Sequence, residues 1–441
     1  MRGILKNVIV WILQAEAKAV LRKYKPRVVA ITGSVGKTST KDAVYAVLQK
    51  KFHVRKSEKS FNSEIGVPLT ILGLGNAWGN PLQWIQNIVD GLLLIITSRP
   101  YPEWLVLEVG ADRPGDISSL ASWLAVDVAI ITRLPEVPVH VEFFDSVEAV
   151  IEEKASLMDA VKPGGTILLY ADDERTRKLE QRLPAPDAQI VLFGFEPKTD
   201  VWASRFEVVR ESFDSAQDKE KRAWPIGMRA TITIGEEAVP VQIIGSLGTH
   251  AFLPAVAAAA AGHVLGVSLP EIVAGLESFD PPPGRVRLLP GIKGTLVIDD
   301  TYNASPAATE AALSALALTK PKRAIAALAD MMELGRVSVE EHRKVGARAA
   351  KVCDILITVG VRSRDIAMGA LDNGMPDTNI LQFEDAGKAA LEIQNLIQEG
   401  DAVLVKGSQS MRMEKIVEEI MLEPERAGDL LVRQDREWKR R

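Results

Sequence analysis

Short apolar segments alternate along the chain with longer segments that have the periodicity of helices. The short segments are apolar throughout, as expected for parallel strands when helices cover both faces of the sheet. Stretches between them, such as 307–318 and 339–352, have helical length. The predicted strands are 27–32, 104–109, 127–132, 166–170, 295–300, 323–329, 354–359 and 402–406.

This alternation predicts an α/β protein made of two units in tandem, joined at the stiff, turn-rich segment Pro281–Arg285. We expect a helical extension over 1–26, a central domain with a mainly parallel sheet over 27–284, and a smaller Rossmann-like α/β domain over 285–441. A polar stretch near 203–225 is predicted to be a surface insertion in the central domain.

Composition narrows the class of protein. With 441 residues, 47% of them hydrophobic, the chain can bury the cores of two or three domains. A net charge of -5 argues against a protein that binds nucleic acid by neutralising its phosphates. The single cysteine, Cys353, excludes an internal disulfide framework and suits a reducing cytoplasm. These features indicate a cytoplasmic, catalytic, multidomain protein.

Two apolar stretches, Ile4–Leu13 and Trp84–Thr97, are too short to cross a bilayer, and they contain Lys6 and Asp90. No small-residue cleavage site follows the first, so a signal peptide is not expected. Two interpretations stay open. The stretches are helices that pack on the body of the protein, or they attach peripherally to the inner face of a membrane.

A glycine-rich loop follows the first predicted strand directly. Glycines let the backbone wrap a phosphate, and the N-terminus of the next helix offers free N–H groups. The loop is shorter than the eight-residue P-loop pattern, because Ile31 stands where that pattern has glycine. Lys37 is expected to reach the terminal phosphates of ATP, and Thr38 to bind Mg²⁺. The predicted nucleotide-binding residues of the loop are Gly33, Ser34, Val35, Gly36, Lys37, Thr38 and Ser39.

The loop sequence TGSVGKTSTK resembles that of the Mur ligase family of ATP-dependent amide-bond-forming enzymes, and the resemblance extends over about residues 27–425. Phe61–Pro68 is similar to the family's Asn-Asn-x-Ile-Gly-x-Pro segment, with Ser63 in place of the second Asn. Leu107–Gly110 is similar to the family's strand-end Glu motif. The resemblance implies a central P-loop ATPase domain.

Glu108 ends a strand that we expect beside the P-loop strand, where a carboxylate can share a Mg²⁺ ion with Thr38. His140 is followed fourteen residues later by Lys154. The family resemblance implies that His140 is a metal ligand and that Lys154 is carbamylated, so that the two help to hold a second Mg²⁺. The alternative for Lys154 is a solvent-facing helix lysine. The predicted catalytic residues are Lys37, Glu108, His140 and Lys154, and the predicted metal ligands are Thr38, Glu108, His140 and Lys154.

The C-terminal unit carries a more specific signal. The string Asp-Asp-Thr-Tyr-Asn-Ala-Ser-Pro over 299–306 resembles the D-alanyl-D-alanine-adding members of the family. That resemblance implies that Asp300 contacts the ATP ribose and that Tyr302 and Asn303 line the nucleotide side of the cleft. It also implies that Arg285 meets the nucleotide when the domains close.

Two departures from the family pattern stand out. Ala251 and Pro254 replace both asparagines of its Gly-x-His-Asn-x-x-Asn motif, which puts adenine recognition and rate in doubt. Only 32 residues precede Gly33, too few for the family's separate UDP-sugar-binding domain. We therefore expect the UDP group to be held differently, by the stretch Trp78–Trp104 or by a partner protein, unless the acceptor is not a UDP-sugar.

Taken together, the resemblance implies a cytoplasmic ligase of peptidoglycan precursor synthesis. It would add D-alanyl-D-alanine to a UDP-N-acetylmuramoyl-tripeptide through an acyl phosphate, using ATP and two Mg²⁺ ions, as a monomer that binds no nucleic acid. Two alternatives remain. One is another ligase of the superfamily, which adds glutamate to a folate or a polypeptide. The other is a nucleotide-binding scaffold without catalysis.

Overall fold

The computed structural model describes residues 2–138, 140–182, 186–212 and 223–439. Within these residues the strands form two sheets, one of nine strands in the central unit and one of six in the C-terminal unit. The predicted α/β fold is confirmed.

The central sheet is parallel from β2 to β7 and antiparallel from β7 to β9, in the order β2-β3-β1-β4-β5-β6-β7-β8-β9. The four predicted strands of this unit are present, and the fourth begins five residues earlier than predicted. The strands are β1 Arg27–Thr32, β2 Val54–Lys56, β3 Trp104–Glu108, β4 Val126–Ile131, β5 Val161–Tyr170, β6 Gln189–Gly194, β7 Val201–Ser212, β8 Ala223–Ile234 and β9 Glu237–Ile244.

Helices cover both faces of the sheet at β1, β3 and β4, which is why these three strands are largely apolar. Val29 and Ile31 of β1 belong to one core, and Val28 and Ala30 to the other, since neighbouring side chains of a strand point to opposite faces. The helices are α1 Arg2–Tyr24, α2 Lys37–Leu48, α3 Gly66–Leu72, α4 Pro81–Ile96, α5 Asp116–Ala121, α6 Val147–Ala155, α7 Glu174–Lys178, α8 Leu253–Val264 and α9 Leu269–Glu277.

Helix α2, which follows the glycine-rich loop, is held tightly by α8 and α9. The run of small residues over 255–261 in α8 is fully buried. A Cβ added to Gly262 would lie 2.7 Å from Cγ1 of Val47, and one added to Gly275 would lie 2.6 Å from the Cα of Val47. Both glycines therefore permit an approach that no larger residue allows.

The C-terminal sheet has the order β10-β11-β15-β12-β13-β14, and only β10 is antiparallel to its neighbour among the described strands. The four predicted strands and the two predicted helices of this unit are present. The elements are β10 Arg287–Gly291, β11 Thr295–Asp300, β12 Arg323–Ala329, β13 Ile355–Val359, β14 Ile380–Phe383 and β15 Asp401–Lys406, with α10 Pro306–Thr319, α11 Ser338–Ala349, α12 Arg364–Asp372, α13 Ala386–Leu396, α14 Glu414–Ile420, α15 Ala427–Leu430 and α16 Arg436–Lys439.

The polar insertion predicted near 203–225 needs correction. Residues 201–212 and 223–234 are the paired strands β7 and β8, and residues 213–222 lie outside the described part of the chain. Continuous apolar runs do not mark these two strands, because polar and apolar residues alternate along them.

The two apolar stretches whose placement was left open form parts of α1 and α4, and these helices do pack on the body. Leu13, Ala17 and Val20 of α1 are fully buried. The carboxylate of Glu16 lies against Gly91 of α4, where an added Cβ would meet its Oε2 at 2.3 Å. No helix in the described ranges is long and apolar enough to cross a membrane.

Candidate functional site

A cleft of about 750 Å³ lies between the two units and is lined by residues of both. The central unit contributes Lys37, Glu108 and His140, and the C-terminal unit contributes Asp300 and Tyr302. The glycine-rich loop leaves β1 at the carboxyl edge of the parallel sheet, where ligands bind in folds of this kind. The cleft thus brings together predicted residues as distant in sequence as Lys37 and Tyr302, which are 265 positions apart.

The loop has the backbone of a phosphate cradle. Gly33 has a φ of +140°, and a Cβ there would lie only 2.0 Å from Oγ1 of Thr132. Gly36 has a φ of +86° and precedes the first residue of α2, Lys37. The ammonium of Lys37 donates to the carbonyl of Gly33 at 2.8 Å. Burial lowers the pKa of Lys37, and the charge of Glu108 opposes that shift.

Glu108 stands where the sequence predicted it, because β3 pairs in parallel with β1 and Glu108 lies opposite Ile31. Its side chain is buried, and Oε1 accepts a hydrogen bond from Nδ2 of Asn62 at 3.2 Å. Its Oε2 has no hydrogen-bond partner among the described residues. Oγ1 of Thr38 lies 3.0 Å from Oγ of Ser60.

Ser60 and Asn62 are site residues that sequence analysis did not select. Asn62 lies in the segment 61–68 that resembles the family, so the sequence could have indicated it. Ser60 lies outside that segment, and no sequence motif indicates it.

His140 lies between two carboxylates from different units. Its Nε2 is 3.4 Å from Oδ1 of Asp112, and its Nδ1 is 2.6 Å from Oε2 of Glu333. The distance between Nδ1 and Oε2 is that of an ion pair, but the angles at these atoms do not meet the geometry of a hydrogen bond. Interaction with His140 lowers the pKa of Glu333. Neither acidic partner was predicted from the sequence.

Lys154 is the second predicted residue of this pair, and it is buried near the C-terminal end of α6, with only 1% of its surface exposed. The alternative of a solvent-facing lysine is therefore wrong. Burial lowers the pKa of Lys154 to about 7, and the nearby charge of Lys37 acts in the same direction. A lowered pKa favours the uncharged form of this amine.

We call the side of the cleft that the C-terminal unit forms, with Asp300, Asn303 and Lys406, the C-terminal wall, and the opposite side the central wall. Oppositely charged side chains pair on the C-terminal wall. Oδ2 of Asp300 accepts a hydrogen bond from the ammonium of Lys406 at 2.6 Å, and both side chains are buried. Lys406 also donates to the carbonyl of Asn303 at 2.9 Å. This carboxylate is thus already engaged, and its predicted contact with ribose stays a prediction. Lys406 is not among the site residues predicted from the sequence.

Arg285, at the joint between the units, connects the two walls. Its guanidinium lies 4.0 Å from the centre of the Tyr302 ring, and its Nη2 is 3.4 Å from Oγ1 of Thr38. Its buried Nε has no partner in the described part of the chain. Ala251 and Pro254, the replacements for the family asparagines, also line the cleft.

The C-terminal segment contributes to the cleft in a way that no motif predicted. Trp438 lines the cleft, and its carbonyl accepts from Nη1 of Arg412 at 2.9 Å. Asp435 forms an ion pair with Lys59 of the central unit at 3.1 Å. These residues follow the region of family resemblance, so sequence comparison gave no signal for them.

The donor set fits a magnesium nucleotide better than a metal held by protein alone. Within the described ranges, no three His, Cys, Asp or Glu side chains form a cluster that could hold a metal ion. Glu108 Oε2 and Ser34 Oγ are buried polar atoms that have no partner among the described residues, and Arg285 Nε is a third. Phosphate oxygens and Mg²⁺ would supply partners for such atoms, because Mg²⁺ is commonly bound by one or two carboxylates together with substrate phosphates.

Comparison with known proteins agrees with this geometry. The Mur ligase middle domain matches residues 31–80 and 91–262, and the Mur ligase, glutamate ligase domain matches residues 284–409. The UDP-N-acetylmuramoyl-tripeptide–D-alanyl-D-alanine ligase of Bacillus subtilis is 30% identical over 93% of this chain and 79% of its own length. The Escherichia coli ligase of the same name is 28% identical over 91% of this chain and 78% of its own.

Solved structures give the same picture. The crystal structure of MurF ligase from Thermotoga maritima in complex with ADP is 26% identical, with a TM-score of 0.73, and the match covers 93% of this chain and 83% of that one. A MurF structure from Acinetobacter baumannii, at 24% identity and a TM-score of 0.74, shares the fold over 92% of this chain and 79% of its own. The glycine-rich loop, the strand-end glutamate and both domain matches lead to one conclusion: this chain belongs to the Mur ligase family.

Proposed function

We propose that this protein is an ATP-dependent ligase that joins D-alanyl-D-alanine to the terminal carboxylate of a UDP-N-acetylmuramoyl-tripeptide, in peptidoglycan precursor synthesis. The observation that supports this most directly is the cleft, where a phosphate loop with Lys37 and Glu108 faces the buried Asp300–Lys406 pair of the other unit. Relatives that are named as ligases of this kind are 25–30% identical to this protein over most of its length.

In the first step, an oxygen of the substrate carboxylate would attack the γ-phosphorus of ATP, so that ADP leaves and an acyl phosphate forms. Lys37 is suited to bind the terminal phosphates, because its ammonium lies within the loop and is held near Gly33. Arg285 is suited to place a second positive charge there, since it reaches Thr38 from the joint. Positioned charges of this kind supply most of the catalysis in phosphoryl transfer.

In the second step, the amine of D-alanyl-D-alanine would attack the acyl carbon, lose a proton and expel phosphate, which leaves the amide. Water competes for the acyl phosphate, so the cleft must exclude it. Contacts that span the two units support such closure: Arg285 with Thr38, Glu333 with His140 and Asp435 with Lys59.

Magnesium and a carbamate belong to the proposal. Thr38 and Glu108 would hold one Mg²⁺, and His140 with a carbamylated Lys154 would hold a second. Bound Mg²⁺ would neutralise charge on the transferring phosphoryl group. A carbamate forms when an uncharged amine attacks CO₂ and releases a proton. The lowered pKa of Lys154 therefore supports this modification. We also propose a monomer as the active unit, because one chain supplies every residue named here.

The test is product analysis by mass spectrometry. The protein is incubated with ATP, D-alanyl-D-alanine and a panel of UDP-muramyl peptides, with Lys37→Ala as the inactive control. We expect the peptide to gain the mass of the dipeptide minus water, and we expect ADP release to need both substrates. Addition of glutamate to a folate or polypeptide acceptor would replace the proposal with the related ligase activity. Nucleotide binding without any product would favour a scaffold.

A further inference from the structure

An exposed apolar surface lies on the central unit, away from the cleft. One side of α4 carries large apolar residues at intervals of three and four positions, which places them along a single stripe of the helix. The other side of α4 is buried through Asn87, Gly91 and Leu94. The stripe consists of Leu82, Ile85, Val89, Leu92 and Ile96, which are 44–77% exposed.

Helix α1 extends this surface. The two helices pack on each other, because the Tyr24 hydroxyl donates to the carbonyl of Leu94 at 3.0 Å and Glu16 lies against Gly91. Trp11 is 70% exposed, and Val8 and Trp78 are also exposed. We call the surface formed by Val8, Trp11, Trp78 and the α4 stripe the α1–α4 face. None of these residues lines the cleft.

A basic cluster borders the α1–α4 face at one end. Arg22, Lys23 and Lys25 are exposed at the end of α1, and Arg99 is exposed just beyond α4. The amide of Arg99 donates to the Tyr24 hydroxyl at 3.4 Å, which ties the two helix ends together. Residues 1–26 contain six Lys or Arg and a single acidic residue, although the whole chain has a net charge of -5. Positive charge is thus concentrated on the helix that carries the exposed tryptophan.

We propose that the α1–α4 face docks onto the surface of a membrane that contains anionic phospholipids. A large apolar area, exposed tryptophan and flanking Lys and Arg are the features with which helices lie in the membrane interface. The apolar stripe would enter the boundary of the acyl chains, the tryptophans would lie among the headgroups, and the basic cluster would meet lipid phosphates. The cleft stays open to solvent in this arrangement.

The charge pattern favours a membrane over a second copy of the chain as the occupant. A second copy would bring the same basic cluster, whereas its α1 and α4 would offer only Glu16 and the single partly exposed carboxylate of Asp90 as acidic groups. Glu16 is buried between the helices, and Glu64 is already paired with Lys6 at 2.9 Å. An anionic lipid surface supplies the opposite charge along the whole face.

Sedimentation of the full chain with vesicles tests the proposal. We expect at least about tenfold more protein bound to vesicles of equimolar phosphatidylglycerol and phosphatidylcholine than to vesicles of phosphatidylcholine alone. Binding should fall in about 0.5 M NaCl, which screens charge. The triple variant Leu82→Ser/Ile85→Ser/Leu92→Ser should lose at least about tenfold in binding, since it removes exposed apolar area.

Matched controls separate the face from general surface effects. Val361→Ser/Leu391→Ser changes residues with comparable exposure, 72% and 59%, on the C-terminal unit and should bind like the unchanged protein. Arg22→Gln/Lys25→Gln/Arg99→Gln tests charge at exposed positions where folding is not at risk, and it should abolish the preference for anionic vesicles. Melting temperature and nucleotide binding check that each variant is folded.

Three results would overturn the proposal. The first is equal sedimentation of the triple variant and the unchanged protein. The second is a doubling of mass in light scattering that the triple variant abolishes, without vesicle binding, which would assign the face to a second copy. The third is a raised KM for the UDP-linked substrate in the triple variant without lipid, which would make the face a substrate surface. Failure of vesicle binding would leave the proposed ligase activity unaffected.

Discussion

The two walls of the cleft, one formed by the central unit and the other by the C-terminal unit, differ in how their buried acidic side chains are held. On the central wall, Glu108 Oε2 and Ser34 Oγ are buried without partners in the described part of the chain. On the C-terminal wall, Asp300 is paired with Lys406, and Arg412 is paired with Glu414, a buried carboxylate that Arg433 also contacts. An unpartnered buried polar atom costs free energy unless a ligand satisfies it, whereas paired charges keep a fixed geometry. The difference indicates that the central wall binds phosphate and metal. The C-terminal wall then positions the nucleotide and closes the cleft over it.

The largest expected effects come from removing the charged groups of the central wall. Lys37→Ala and Glu108→Ala should each lower the rate of ligation by roughly 1,000-fold or more, because each removes a contact to phosphate or Mg²⁺. Product formation by the purified variants measures this. Lys51→Ala and Glu103→Ala, at exposed positions of the same unit, serve as matched controls. Normal rates in either cleft variant would contradict the division between the walls.

Lys154→Ala should be nearly as damaging, with a loss of roughly 100-fold or more if the carbamate holds a metal ion. Short carboxylic acids should restore part of the activity, because they return an anion to the vacated space. A readout independent of activity is ¹³C NMR of the protein in ¹³C-labelled bicarbonate, where a carbamate signal should be present and should vanish in Lys154→Ala. Lys178→Ala, an exposed lysine, should keep both activity and signal. An unmodified Lys154 in fully active enzyme would remove the second metal site from the proposal.

On the C-terminal wall the main effect should be on stability. Lys406→Met leaves the buried carboxylate of Asp300 without its cation, and the free energy of unfolding should fall by about 3–5 kcal/mol. Asp300→Leu/Lys406→Met should recover much of that loss, because no buried charge remains. Urea unfolding measures both. Lys388→Met breaks the exposed pair with Glu384 and should cost less than about 1 kcal/mol. Equal stability of Lys406→Met and the unchanged protein would show that this wall is not held by its paired charges.

The contact between the walls should give the smallest effect. Glu333→Gln removes the carboxylate that lies beside His140, yet Glu333 is partly exposed, so kcat should fall only about two- to fivefold. Steady-state kinetics at saturating ATP measure the change, and Glu340→Gln, exposed on α11, is the control. A loss as large as that of Glu108→Ala would mean that Glu333 acts in the chemistry rather than in closure.

Local patterns predicted the central wall more completely than the C-terminal wall. Strand β1, the glycine-rich loop and Lys37 are consecutive in sequence, and Glu108 is the last residue of an apolar strand. Short-range sequence patterns were therefore sufficient to predict both Lys37 and Glu108. Glu333 becomes a neighbour of His140 only when the two units meet, and no periodicity encodes that distance. Lys154 follows two glutamates, Glu152 and Glu153, and its burial depends on packing against other elements. Strands β7 to β9 were not predicted, because polar and apolar residues alternate along them and no continuous apolar run marks them.

The close packing of α2 has a mechanical consequence. Helix α2 packs so closely against α8 and α9, at Gly262 and Gly275, that it has little freedom to slide or tilt. It therefore holds the glycine-rich loop at its N-terminus rigidly in place. Any change in the angle between the two units must then take place outside α2, and residues 281–285 are the segment that joins the units. Amide protons of α2 should therefore exchange with solvent as slowly as those of the central strands, whether or not nucleotide is bound. The packing of α2 thus fixes the position of the glycine-rich loop relative to the central sheet.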